Sequence, residues 1–100
     1  MNFITTLNGI NERVSIYENA FLDLIKHAIN NSKVIKLANS PRIIFFDDKI
    51  NASFVIDITI KAKTPLKETI DNFTNEIING FDALLNYKPN SVKVCFTGYF

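Results

Sequence analysis

His27, Cys95, Asp47, Asp48 and Asp57 are the side chains with which this sequence could do chemistry, and their spacing argues against each obvious use. His27 is the single histidine, with no cysteine or second histidine at metal-ligand spacing, so it reads as a surface or boundary residue. Cys95 is the single cysteine. A nucleophilic thiol needs a positioned base and an oxyanion site, and nothing in the sequence brings His27, the only imidazole, near it. Asp47-Asp48 offers too few oxygens for a divalent cation and reads as a turn. Asp57 lies mid-strand on a polar face, where Lys61 or Lys93 can pair with it. Gly9, Gly80 and Gly98 stand alone, so no glycine-rich phosphate loop exists. The expectation is a protein that is not an enzyme and that carries no cofactor and no metal.

Two features suit a partner instead. Lys61, Lys63, Lys93, Thr97 and Tyr99, with Arg42 nearby, place basic residues and an aromatic on the solvent face of a sheet. Such a face can hold single-stranded RNA, but it is also what an ordinary solvated sheet looks like, its lysines discouraging edge pairing. The second feature is Ile43-Ile44-Phe45-Phe46, whose consecutive apolar residues must face both sides of the sheet. One pair of them, with Val55 and Phe100, would lie outside the helix-covered core. Either the N-terminal segment of the chain covers that pair or another molecule does. The candidate partner surface is therefore Ile43, Ile44, Phe45, Phe46, Lys61, Lys63, Lys93 and Tyr99.

The chain that must position these residues has 100 amino acids, which fits one domain. Eleven Lys and Arg against ten Asp and Glu leave a formal charge of +1, which excludes a broad electrostatic drive towards nucleic acid or anionic lipid. Nucleic acid is accordingly not an expected partner. One cysteine cannot form an internal disulfide, which points to a reducing, cytoplasmic compartment. The longest uninterrupted aliphatic and aromatic run is the four residues Ile43–Phe46, far short of the ~20 needed to span a bilayer. The first residues, Met1-Asn2-Phe3-Ile4, lack the basic start and cleavage site of an export signal. Fifteen Ile and thirteen Asn share AT-rich codons with Lys and Phe, so that bias reflects a genome rather than an activity.

Periodicity supplies the elements. A short strand is expected near Ile10 to Val14, after the turn signal Asn8-Gly9. Ser15-Ile16-Tyr17-Glu18 has capping-box spacing and opens a helix over about 16–31, with Tyr17, Phe21, Leu24, Ile25, Ala28 and Ile29 on its apolar side. Asn30-Asn31 and Ser32 end it. Val34 to Leu37 and Arg42 to Phe46 read as strand broken by Asn39-Ser40-Pro41. From Asn51 to Lys63 the pattern alternates: Phe54, Ile56, Ile58, Ile60 and Ala62 one way, Val55, Asp57, Thr59, Lys61 and Lys63 the other. Thr64 is expected to cap a second helix with Pro65 at its first position and an apolar stripe from Leu66 to Leu85. Gly80 within it costs about 1 kcal/mol against Ala, which suggests close packing on a neighbour. Tyr87-Lys88-Pro89-Asn90 closes the helix. In the last strand, Ser91 to Phe100, simple alternation puts Lys93, Cys95, Thr97 and Tyr99 opposite Val92, Val94, Phe96 and Phe100. The expected fold is α+β, ordered (β)αββαβ, with two helices on one face of a small three- or four-stranded, largely antiparallel sheet.

Over about residues 12–100 this pattern resembles the bacterial alkaline shock, or envelope stress response, family. The helix entry Val14-Ser15-Ile16-Tyr17-Glu18-Asn19-Ala20-Phe21 carries the resemblance first. The strand Asn51–Ile60, the helix start Thr64–Ile70 and the closing strand Ser91–Tyr99 continue it. Lys33-Val34 stands where the family usually has Gly-Val, and the glycine before the second helix is replaced around Lys63-Thr64. The resemblance implies a non-enzymatic cytoplasmic scaffold or interaction protein linked to cell-envelope homeostasis. In some members it implies attachment to the inner face of the membrane through a membrane-anchored protein, and self-association into a homo-oligomer is known. The same order of elements also occurs in KH-like RNA-binding domains, the alternative reading, although the Gly-x-x-Gly clamp of those domains is absent here.

Overall fold

The computed structural model describes residues 3–7 and 13–100. Eight elements follow one another: β1 (Phe3–Leu7), β2 (Arg13–Tyr17), α1 (Glu18–Ser32), β3 (Ile35–Leu37), β4 (Arg42–Phe45), β5 (Ala52–Ile60), α2 (Leu66–Leu85) and β6 (Ser91–Tyr99). The architecture is α+β, and three of its four strand pairings are antiparallel. The segment before α1 is a two-stranded hairpin, and the strand after α1 is split in two at Asn39-Ser40-Pro41.

β5 organises the sheet because its period-two pattern is the cleanest in the chain. Ala52, Phe54, Ile56, Ile58 and Ile60 are fully buried, while Val55, Asp57 and Thr59 retain solvent exposure. β4 pairs antiparallel with its first half and β3 with its second, end to end along one edge. β6 pairs with it in parallel along the other edge. A parallel neighbour requires a crossover, and the 20-residue α2 provides it.

Both helices cover the face that carries Phe54. The rings of Phe21 from α1, Phe54 from β5 and Phe81 from α2 meet at centroid separations of 5.5–6.0 Å, and Phe45 and Tyr87 extend the cluster. Such ring pairs add about 0.5–1.5 kcal/mol each beyond the burial of their area. Helix stripes at i, i+3 and i, i+4 spacing supply the rest: Phe21, Ile25 and Ala28 on α1, and Phe73, Ile77, Phe81 and Leu85 on α2. Close packing at Gly80 is present as the sequence suggests, with the side chain of Leu24 seated against it. The hairpin β1·β2 adds Ile4 to this core and packs Ile16 against it, and the Thr5 amide donates to the Lys49 carbonyl at 2.8 Å.

Several boundaries differ from the sequence reading for local reasons. Ser15 is paired with Thr5 inside β2, so α1 begins later, at Glu18, and Tyr17 rather than Ser15 occupies the cap position, without a side-chain hydrogen bond. Pairing in the hairpin also moves the expected strand at Ile10–Val14 to Arg13–Tyr17, and Asn8, Gly9 and Ile10 lie outside the described residues. At α2 the cap is Pro65 rather than Thr64, and the Thr69 hydroxyl donates to the Pro65 carbonyl at 2.6 Å. Lys33, not an asparagine, takes the left-handed conformation that ends α1, whereas Asn86 takes it at the end of α2. Asp47-Asp48 forms the expected turn, with Asp48 Oδ1 accepting from the Ile50 amide at 2.9 Å.

Candidate functional site

With both helices on one side, the opposite face of the sheet stays uncovered by them. Cross-strand register decides which side chains stand there, because directly opposed residues share a face. β4 contributes Arg42 and Ile44, opposite Val55 and Ser53. β3 contributes Lys36, opposite Thr59. β6 contributes Lys93 and Cys95, opposite Val55 and Asp57. Ile43 and Phe45 pair with Phe54 and Ala52 and pack against the core. The two-sided run therefore divides, with Ile44 alone of the β4 residues strongly exposed among the apolar ones, at 53%. Phe46 follows β4, half-buried, and its amide donates to the Asn51 carbonyl at 3.2 Å. The hairpin β1·β2 gives the core Ile4 but leaves Ile44 open.

A β-bulge corrects the placement of two aromatics. Phe96 lies opposite Ile58 and Gly98 opposite Thr59, so Thr97 is the extra residue, its hydroxyl donating to the Ile58 carbonyl at 2.9 Å. Beyond it the alternation of β6 inverts. Tyr99, expected with Lys93 and Cys95, stands opposite Ile60 on the helix side, and its ring meets that of Phe96 at 5.0 Å. Phe100 takes its place on the open face, 43% exposed, with the Lys36 ammonium 4.5 Å from its ring centroid. β5 ends at Ile60, three residues before the expected end, so Lys61 and Lys63 lie in the turn that follows rather than in the strand. Lys63 holds a positive φ of 70° there. The structure thus unites Ile44, Lys93, Phe100 and Lys36 on one face and separates Tyr99 and Lys63 from it.

Asp57 occupies the middle of this face, its side chain only 15% exposed. It pairs with Arg42 rather than with the expected Lys61 or Lys93. The Arg42 guanidinium donates to both carboxylate oxygens, at 3.2 and 3.3 Å, and Asn39 donates at 3.1 Å. Arg42 is opposite Val55, which makes Asp57 its diagonal neighbour and suits the reach of a guanidinium. The pairing neutralises one of the basic residues on which an RNA reading depends. Lys36 and Lys93 remain.

The titratable candidates are dispersed. His27 is exposed on α1, and Cys95 is half-buried on the opposite side of the sheet, so the core separates them. Among the described residues, no three His, Cys, Asp or Glu side chains come together in an arrangement able to hold a metal ion. A cleft of about 230 Å³ between the end of α1 and the start of α2 is lined by Ser32, Val34, Thr69, Asn72, Phe73 and Glu76. Its carboxylate is engaged across the helix pair, accepting from Asn31 at 3.0 Å. No helix among the described residues is long and apolar enough to cross a membrane.

Sequence reasoning missed Lys36, because the break after its strand was legible but the face it takes follows from its pairing opposite Thr59 of β5. Comparison with family models finds no match for the chain, and comparisons with curated proteins and with solved structures find none either.

Proposed function

We propose that this chain is a non-enzymatic interaction module that binds another protein through the open face of its sheet. The observation that carries the reading is the exposure of Ile44 and Phe100 on the sheet face opposite the helices. Apolar side chains among spaced polar ones suit the centre and rim of a protein contact. The near-neutral charge of the chain fits the same use. The resemblance to the envelope stress response family adds a setting: the cytoplasmic side of the cell envelope, with a membrane-anchored protein as one partner. That setting is the proposal's finer part and rests on the residues quoted for the resemblance.

The test is capture of partners by the tagged chain from separated membrane and soluble fractions. Ile44→Asp should abolish capture of the specific partner, while Lys26→Glu, on the exposed side of α1, should leave it intact. Equal capture by both variants would reject the open face as the binding surface. Salt-sensitive retention of single-stranded RNA, weakened by Lys93→Glu, would instead favour the KH-like reading. Against that reading, the Arg42 guanidinium is engaged by Asp57, and the chain's net charge is only +1.

A further inference from the structure

The end of the sheet away from the hairpin carries a second site, distinct from the open face. Register brings three strand ends together there: Ile60 of β5 pairs with Ile35, at the start of β3, and with Tyr99, at the end of β6. Backbone bonds tie the adjoining segments. The Lys61 amide donates to the Val34 carbonyl at 2.8 Å, and the Ala62 amide to the Phe100 carbonyl oxygen at 2.9 Å. Lys33, Lys36, Lys61 and Lys63 thus gather at one tip with Tyr99 and Phe100. All four lysines are exposed, and among the described residues none of them forms an ion pair. The bulge at Thr97 sends Tyr99 to one side of the sheet and Phe100 to the other, 56% and 43% exposed. We propose that this tip binds the surface of an anionic lipid bilayer directly, with no protein between them. The lysines meet the phosphate headgroups and the two rings lie at headgroup level.

The formal charge of +1 hides a separation that favours this. α1 and α2 hold six carboxylates against Lys26 and Lys67, whereas the rest of the chain holds nine Lys and Arg against four Asp and Glu. At the tip, residues 33–38, 59–64 and 97–100 contain no acidic side chain. Of the acids that flank these segments, Asp57 is bound by Arg42, Asp71 by Lys67 at 2.7 Å and Glu76 by Asn31, which leaves Glu68. A free carboxylate at Phe100 would offset one lysine and leave the tip positive. A local attraction therefore exists where a broad one does not.

The backbone gives a second observation. Lys33 and Lys63 hold φ of 63° and 70°, a left-handed conformation for which glycine is the ordinary choice. Lys33 also stands at the C-terminal end of α1, where a cation is favourable. Lys61 and Lys63 have no such use.

Shape selects the target. α2, 20 residues long, spans about 30 Å and fits only along the 51 Å axis of the molecule, as do the strands beside it. The tip is accordingly an end 22 by 19 Å across. That is roughly 400 Å², half of the ~800 Å² that each side of a stable protein contact buries. A strand of RNA is tracked by a groove, whereas these residues are strand ends and turns. A bilayer requires neither. Each lysine near an anionic surface strengthens binding about five-fold, and amphipathic or aromatic side chains settle at its headgroups.

Vesicle flotation with the whole chain tests the proposal. The protein should float with vesicles of equal parts phosphatidylcholine and phosphatidylglycerol, should not float with phosphatidylcholine alone, and should be released by salt. Lys61→Gln/Lys63→Gln should weaken the partition roughly 25-fold. Lys26→Gln/Lys88→Gln removes the same charge away from the tip and should leave it near wild type. All four side chains are exposed, so both double variants should melt close to wild type. The chain has no tryptophan, so Phe100→Trp supplies a single reporter. Its emission should shift to the blue with the anionic vesicles, and that of Ile50→Trp, at the hairpin end, should not. Absence of flotation with anionic vesicles, equal flotation with neutral ones, or equal losses in the two double variants overturns the proposal. So does retention of poly-uridine RNA through Lys61 and Lys63 without vesicle binding. Capture of a protein through Ile44 can succeed or fail independently of this result.

Discussion

Replacing Gly80 by alanine sets two effects of similar size against each other. Alanine in a helix interior is worth about 1 kcal/mol over glycine. Its β-carbon, however, would stand 2.1 Å from Leu24 Cδ1, with Leu24 Cγ and Cδ2 at 3.2 and 3.3 Å. The whole isobutyl group would have to move, and Leu24 is packed against the core. Overpacking of this kind costs about 1–3 kcal/mol, so Gly80→Ala alone should destabilise the chain by roughly 0–2 kcal/mol after the helix gain is subtracted. Leu24→Ala alone should cost about 2 kcal/mol, the low end for a leucine, because its side chain is only partly buried. With Leu24 already truncated, Gly80→Ala should become stabilising by about 1 kcal/mol, since only the helix term remains. Urea denaturation of the four proteins reads the cycle directly, and each kcal/mol should also move Tm by about 4–8 °C. A stabilising Gly80→Ala in the wild-type background, or additivity within about 0.3 kcal/mol, would refute the assigned helix contact.

Other perturbations test the remaining parts. Phe21→Ala removes a fully buried ring that meets Phe45, Phe54 and Phe81, and should cost about 3–5 kcal/mol in the same denaturation assay. Asn51 accepts from the Ala52 and Asn90 amides and donates to the Lys88 carbonyl, so Asn51→Ala should cost about 1–3 kcal/mol by loosening the start of β5 and β6 together. The Tyr87 phenol donates to the Ile50 carbonyl, and burial, assisted by the nearby Asp48 carboxylate, raises its pKa above the ordinary 10.0. The folded chain holds that proton more tightly than the unfolded one, so its contribution is complete below 10.0 and is lost as pH rises through the folded value. Tyr87→Phe should lower stability at neutral pH by about 0.5–1.5 kcal/mol and flatten the alkaline loss, as urea titrations on either side of 10.0 will show. Ile44→Asp should change stability by no more than about 0.5 kcal/mol, which makes it a clean probe of binding.

The elements legible in the sequence were those whose pattern and packing agree. Ile56, Ile58 and Ile60 alternate in β5 and are buried as alternation requires, and the stripe from Phe73 to Leu85 lies on the core as its spacing requires. Failures arose where a distant partner overrode a local signal. Ser15 and Glu18 have capping spacing, but Thr5 claims Ser15 for the hairpin. Lys93 and Tyr99 are six residues apart and should share a face, yet one inserted residue at Thr97 moves Tyr99 to the other. The charges of Lys61 and Lys93 were visible, but which cation Asp57 selects depends on the register of β4 against β5. The parallel direction of β6 depends on the path of α2, which carries no residue signature of its own. Half of the candidate surface was therefore readable as composition, while its assembly was a property of pairing.

A photo-crosslinking residue placed at Ile44, with a second placed at Lys26 as reference, tests the central claim most directly. If the open sheet face is the working surface, irradiation in cells should yield discrete protein adducts from position 44 and none from position 26. Equal adducts at both positions, no adduct at 44, or adducts at 44 made only with nucleic acid would contradict it.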